Sequence, residues 1–154
     1  MMSRYNEMAA ANLVSPSIEE KSINVTNGNA EISKKQTLYK KWNGVTLQPE
    51  QILHSANGNV LEPEITFTKY ETIGNIVSYT GRSGEPISFL WDYYKDYPIA
   101  KVVNADSASI AHTSFEGNDK GNFTFTGTPQ VNATSLTGKK VYSFTGSNPI
   151  SKAG

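Results

Sequence analysis

The chain contains no cysteine and only two histidines among its 154 residues. Without cysteine there is no disulfide framework, no thiolate nucleophile and no Cys-type zinc site. The redox compartment stays open, because a cysteine-free chain folds equally well inside or outside the cell. Net charge is missing too: 14 Lys and Arg balance 14 Asp and Glu, and nucleic-acid binding needs a cationic excess. No stretch approaches the ~18 apolar residues of a membrane span. The opening residues Met1 to Met8 lack the apolar core of a signal peptide, about 7–15 residues long. The length suits one domain or two small ones. The chain stops at Ser151-Lys152-Ala153-Gly154 after a run of β-like segments, the ending expected of a piece of a longer protein whose export signal lies upstream.

What is present reads as strands and turns. One short helix is expected at about 3–13, with Ser3 as its cap, Met8 to Ala11 as helix formers and Pro16 ending it. Ile18, Ile23 and Val25 lead into Asn27-Gly28, a strong hairpin signal. The return strand runs from Ile32 to Trp42, its Lys34, Lys35, Lys40 and Lys41 reading as a solvated face that guards an edge. A turn cluster from His54 to Asn59 separates Leu47–Leu53 from the alternating strand Glu64–Tyr70. Gly74-Asn75 turns that strand into Ile76–Tyr79, Gly81–Gly84 is the next turn, and strands Ile87–Tyr93 and Tyr97–Val103 follow. This rhythm is that of consecutive antiparallel hairpins rather than βαβ units. Composition shifts near residue 104: 11 acidic residues lie before it and 3 after, where Thr, Ser, Asn and Gly dominate. Two regions are therefore expected, 1–104 and 105–154, the second with strands at 110–115, 122–126 and 140–144.

Tyr70-Glu71-Thr72-Ile73-Gly74-Asn75-Ile76 resembles the YD repeat of the RHS superfamily. Phe89-Leu90-Trp91-Asp92-Tyr93 followed by Tyr97-Pro98-Ile99-Ala100 resembles the segment that closes the repeat region in RHS-like surface proteins of the Bacteroidetes, and Leu13-Val14-Ser15-Pro16 resembles part of its preceding hairpins. The resemblance covers roughly residues 5–105. It implies an all-β array of YD-type hairpins with a structural role. Tyr70, Glu71, Gly74, Asn75, Trp91, Tyr97 and Pro98 are its motif residues, and neighbouring repeats and modules of the same polypeptide are its partners. By the same resemblance the protein is exported, to the cell surface or beyond. Two positions depart from the pattern. Glu71 stands where the repeat has Asp, so a looser turn is expected, and Asp92 stands for Gly, at a site expected to need positive φ. The aromatic residues Tyr70, Tyr79, Phe89, Trp91, Tyr93, Tyr94 and Tyr97 are expected to pack across strands. Trp91 and Tyr94 are candidate glycan-stacking platforms.

Thr113-Ser114-Phe115-Glu116 and Gly121-Asn122-Phe123-Thr124-Phe125 resemble the opening strands of a carbohydrate-binding jelly roll. That likeness implies an incomplete β-sandwich tail and a calcium ion at Glu116 and Asp119, although two carboxylates fall short of the six to eight oxygens calcium takes. No other cofactor is expected.

Catalytic residues are not expected either. His54 and His112 lie 58 positions apart with no chelating neighbours, no serine sits in a Gly-x-Ser-x-Gly elbow, and Gly81–Gly84 lacks the lysine of a phosphate loop. One hairpin carrying Asp92 and Asp96 offers no sugar-sized cleft for a glycosidase pair. Three Asn-x-Thr sequons, at Asn24, Asn122 and Asn132, match chance at this composition. The expected function is a non-enzymatic scaffold segment, with carbohydrate binding by the tail as the alternative. Residues 105–154 are expected to exchange amide hydrogens faster than 64–104, measurable by mass spectrometry; equal protection would mean that the tail's backbone is as well paired as the hairpins.

Overall fold

The computed structural model describes residues 4–152, so Ser3, expected as the helix cap, lies outside the described residues. The chain is mostly β and divides into two compact units, 1–85 and 86–154. That division falls at a turn between hairpins, whereas the shift in composition lies near residue 104.

The first unit opens with helix α1 (Arg4–Ala10), shorter than the expected 3–13. Pro16 does not end it. Asn12 adopts φ 56°, and the amides of Leu13 and Asn12 donate to the carbonyls of Met8 and Ala9 at 2.8 and 3.0 Å. This Schellman closure satisfies the last carbonyls.

Five strands follow in sequence order as an antiparallel meander: β1 (Glu19–Asn24), β2 (Ala30–Trp42), β3 (Thr46–Ala56), β4 (Glu62–Tyr70) and β5 (Ile76–Gly81). Between β1 and β2, Asn24 accepts from the Thr26 amide at 3.1 Å and caps a 3₁₀ turn that ends in left-handed Gly28. The next two hairpins close on Asn43-Gly44 and Asn57-Gly58, with all four residues at positive φ. Amides of Val45 and Asn59 bond back to carbonyls of Trp42 and Ala56. These are primed turns, whose twist matches the flanking strands. His54, Ser55 and Ala56, expected in a turn, extend β3 instead, because they pair with Lys35, Lys34 and Ser33 of β2 while the reversal occupies residues 57–61.

The expected turn at Gly74-Asn75 is present and tighter than Glu71 implied. The Gly74 amide donates to the Glu71 carbonyl at 3.0 Å and the Glu71 amide to the Asn75 carbonyl at 2.9 Å. Backbone bonds close the loop, so the longer side chain costs nothing there. Gly74 is required by its φ of 98°, and the Gln48 side-chain amide lies 2.8 Å from where a Cβ would sit.

The core of this unit is Trp42, Phe67 and Tyr70, packed against Ile52, Ile65, Ile76 and Tyr79. Register explains the grouping: Ile52 faces Ile65, Phe67 faces Tyr79 and Tyr70 faces Ile76. Side chains directly opposite on antiparallel strands share one face of the sheet. The Trp42 and Tyr70 rings lie 4.9 Å apart and the Phe67 and Tyr70 rings 5.6 Å. The lysines of β2 are not one uniform solvated face. Lys34 pairs with Glu19 at 3.0 Å, and Lys40 pairs with Glu50 at 3.4 Å while lying 4.3 Å over the Trp42 ring. Lys35 and Lys41 are exposed.

The second unit begins with the hairpin β6 (Pro86–Asp92) and β7 (Tyr97–Val103). Its register slips between Leu90 and Trp91, where Pro98, lacking an N–H, faces Trp91. Beyond it the expected strands at 110–115 and 122–126 do not form. Residues 122–126 contribute one isolated bridge, Thr124 to Ser151. The strand expected at 140–144 shrinks to β9 (Lys140–Val141), paired with β8 (Gln130–Val131) inside what was expected to be loop. The tail thus carries one short ladder in place of the strands of a sandwich, and His112 sits in loop rather than strand. An aromatic cluster holds it. Phe115 stacks on Tyr142 at 5.4 Å and 13°, and Phe125 meets Tyr142 edge-on at 4.9 Å.

The Tyr70 hydroxyl is buried with no hydrogen-bond partner among the described residues. Burial pushes its pKa above the ordinary 10.0, and the neighbouring Tyr39 adds to the effect. Above pH 10 the unfolded chain therefore loses this proton while the folded chain keeps it, so stability falls as pH rises. Tyr70→Phe is expected to leave stability at pH 7 unchanged or raise it by about 1 kcal/mol and to flatten the alkaline decline, as read from urea midpoints between pH 7 and 11. A loss of more than about 1 kcal/mol at pH 7 would show that the hydroxyl has a partner after all.

Candidate functional site: a left-handed tyrosine turn on a buried aspartate

The turn between β6 and β7 concentrates the unusual chemistry of the second unit. Tyr93, Tyr94 and Lys95 occupy the left-handed region in succession, at φ 53°, 61° and 70°. Such a run costs about 1–2 kcal/mol per non-glycine residue, so it persists only where its surroundings impose it. Each of the three residues has its own anchor. The Tyr93 amide donates to Asp92 Oδ1 at 2.6 Å and the Tyr94 amide to Asn118 Oδ1 at 2.6 Å. The Lys95 ammonium donates to the Trp91 carbonyl at 3.3 Å and pairs with Asp119.

Asp92 is the centre of this arrangement. It is 2 % exposed, and the same Oδ1 also accepts the amides of Asn118 and Asp119, at 2.9 and 2.8 Å. Three N–H donors on one buried carboxylate oxygen are charge-assisted bonds, of about 1.5–3 kcal/mol each. They match the cost of the turn in magnitude. Gly117 makes the approach feasible, since a Cβ there would lie 1.9 Å from Asp92 Oδ2. Asp92 itself does not take positive φ; the three residues after it do. In place of a glycine's freedom, this position supplies an acceptor.

The same device recurs along the tail, where backbone amides lack strand partners. Asp106 Oδ1 accepts the amides of Ala108 and Ser109 at 2.8 and 2.9 Å. Glu116 Oε1 accepts those of Lys139 and Lys140 at 2.8 and 2.6 Å, which ties the 113–116 segment to β9. The Lys140 amide, ahead of the other contacts, holds the Glu116 carboxyl below its ordinary value. At Asp119 burial works the other way, and the Lys95 and backbone bonds still bring the carboxyl below its usual range.

No family model, curated protein or solved structure matches this chain.

The residues singled out from the sequence fall into distinct roles. Tyr70, Glu71, Gly74 and Asn75 form the β4–β5 turn and its buried base. Trp91 is half-buried opposite Pro98, with its carbonyl engaged by Lys95. Tyr97, expected among the packed aromatics, is 64 % exposed and meets the Tyr93 ring edge-on at 6.1 Å. Tyr94, also expected among the packed aromatics, is 82 % exposed, because the left-handed turn projects it away from the strands. Glu116 and Asp119, the candidate calcium ligands, are already engaged as acceptors of amides and of an ammonium. Among the described residues no three His, Cys, Asp or Glu side chains converge on a point that could hold a metal. Sequence reading missed Lys95, Gly117 and Asn118; their only trace was the Gly117-Asn118-Asp119 turn composition.

Asp92→Ala is expected to destabilise the second unit by about 3 kcal/mol or more, by stranding three amides. Asp92→Asn, which keeps an acceptor oxygen, should cost less, and Gly117→Ala should resemble the alanine variant. Urea midpoints, with the amide shifts of Tyr93, Asn118 and Asp119 by NMR, test this; an Asp92→Ala variant of unchanged stability would refute it.

Proposed function

We propose that this chain is a non-enzymatic structural segment of an exported, RHS-like surface protein, in which consecutive β-hairpins extend or close a sheet that displays neighbouring modules. The observation that carries this reading is the meander β1–β5, whose strands pair strictly in sequence order and whose terminal strand β1 has all six residues exposed. A sheet assembled hairpin by hairpin grows by adding the next hairpin at such an end, and repeats of this kind need neighbours to bury their faces. The resemblance of Tyr70–Ile76 and of Trp91 with Tyr97-Pro98-Ile99-Ala100 to the YD-repeat region supports the same reading. The partners are then the adjacent hairpins and modules of the same polypeptide, at the cell surface or in the secreted state.

A second reading, carbohydrate binding by the second unit, is favoured by one observation outside the tail: Tyr94 presents an open ring from a turn whose left-handed backbone is anchored by side-chain contacts. Strained, over-determined turns concentrate at binding sites.

The scaffold reading is tested by hydrogen exchange on β1. In the isolated chain the outward amides of Glu19–Asn24 should exchange with little protection. When the chain is expressed with its natural flanking segments, protection there should rise at least tenfold. Exchange that stays the same in both contexts counts against a growing sheet.

A further inference from the structure

The second unit carries a pocket that neither the tyrosine turn nor the carboxylate contacts explain. It encloses about 360 Å³, within the range of about 300–1,000 Å³ typical of small-ligand sites. Half-buried Phe115 supplies the apolar wall, Phe125 being only 5 % exposed; Asn118 and Thr128 supply neutral polar groups, and Lys120 and Lys140 two ammonium groups. An ammonium has three donors. Lys120 Nζ gives one to the Phe125 carbonyl and lies 4.9 Å from that ring's centre, while Lys140 Nζ gives one to the Glu116 carbonyl at 2.9 Å.

Neither lysine has a carboxylate within ion-pair distance among the described residues, and the nearby acids are committed elsewhere. Asp119, also in the lining, pairs with Lys95. The Glu116 carboxylate spends Oε1 on two amides, although its charge still lies close enough to Lys140 to feel it. The wall therefore offers unspent N–H donors of positive charge beside aromatic surface.

We propose that this pocket binds a sugar ring bearing a carboxylate, a uronate, with its C–H face against the partly exposed Phe115 ring and its carboxylate between Lys120 and Lys140. The apolar wall selects a ring, the ammonium pair selects the acid, and Asn118 and Thr128 are placed for hydroxyl groups. This deepens the carbohydrate-binding reading and is independent of the scaffold reading.

The test is titration of the full chain with glucuronate and galacturonate oligosaccharides, followed by amide shifts in NMR. The matching neutral hexose oligosaccharides and acetate form separate arms. Uronates should bind at least tenfold more tightly than neutral hexoses or acetate, and the affinity should fall as salt rises from 20 to 300 mM. Lys120→Gln and Lys140→Gln remove the charge and leave an N–H donor on a side chain one bond shorter. Each should weaken uronate binding about tenfold, with Lys35→Gln in the first unit as the unaffected control. Equal binding of neutral hexoses overturns the acidic specificity but leaves the carbohydrate reading standing. Equal binding of acetate overturns the sugar ring as the recognised feature, and no saccharide binding at all overturns both. Salt-independent binding by the unaltered chain overturns the ammonium pair even if a glutamine variant fails to fold.

Discussion

One carboxylate oxygen, Oδ1 of Asp92, governs the second unit. Backbone amides outside regular structure must find acceptors, and a buried amide without one is costly. Three such amides from two distant stretches of chain meet at this oxygen, which lies 2 % exposed at the end of β6. The left-handed run Tyr93–Lys95, the placement of Gly117–Asp119 and the exposure of Tyr94 all depend on that meeting. Acceptors at Asp106 and Glu116 repeat the solution on a smaller scale. A tail poor in ladders is organised by side-chain acceptors instead, and its three acids, Asp106, Glu116 and Asp119, all accept backbone amides.

The first unit obeys a different constraint. There the ladders are long and the amides pair with one another, so side chains are released for packing. Register then decides the core: opposite residues on β3, β4 and β5 place Ile52, Ile65, Phe67, Tyr79, Tyr70 and Ile76 together around Trp42. The two units thus show two ways of satisfying a backbone, one by strand neighbours and one by carboxylates. In the second, irregular backbone brings side chains of many directions to one place.

Much of the hairpin region was legible. Asn27-Gly28, Gly74-Asn75 and Gly81–Gly84 marked turns, and Tyr97–Val103 formed as expected, because alternating β-formers between Gly-containing turns carry their own instruction. His54–Ala56 was misplaced, since polar residues resemble a turn even where the primed turn lies just beyond them. The tail was misread for the opposite reason. Phe115, Phe123 and Phe125 alternate or cluster as strand residues do, yet Phe115 is left-handed and stacks on Tyr142. Local pattern could not show that its amides would be drawn to carboxylates 20 or more residues away. The candidate site was visible only in part: Trp91 and Tyr94 drew notice as aromatics, whereas Asp92 looked like a tolerated substitution for glycine.

By itself, the sequence determined the absence of thiol chemistry, the balance of charge and the all-β hairpin character. Each of these follows from composition or from residues within a few positions of one another. Only the tertiary structure decided what Asp92 does, which aromatic rings stay open to solvent, and which lysines keep donors unspent. Those outcomes depend on pairings such as Asp92 with Asn118, Lys95 with Asp119 and Glu116 with Lys140, separated by 24 to 26 residues. An amide's need for an acceptor is universal, and the acceptor it finds is set by how the whole unit closes.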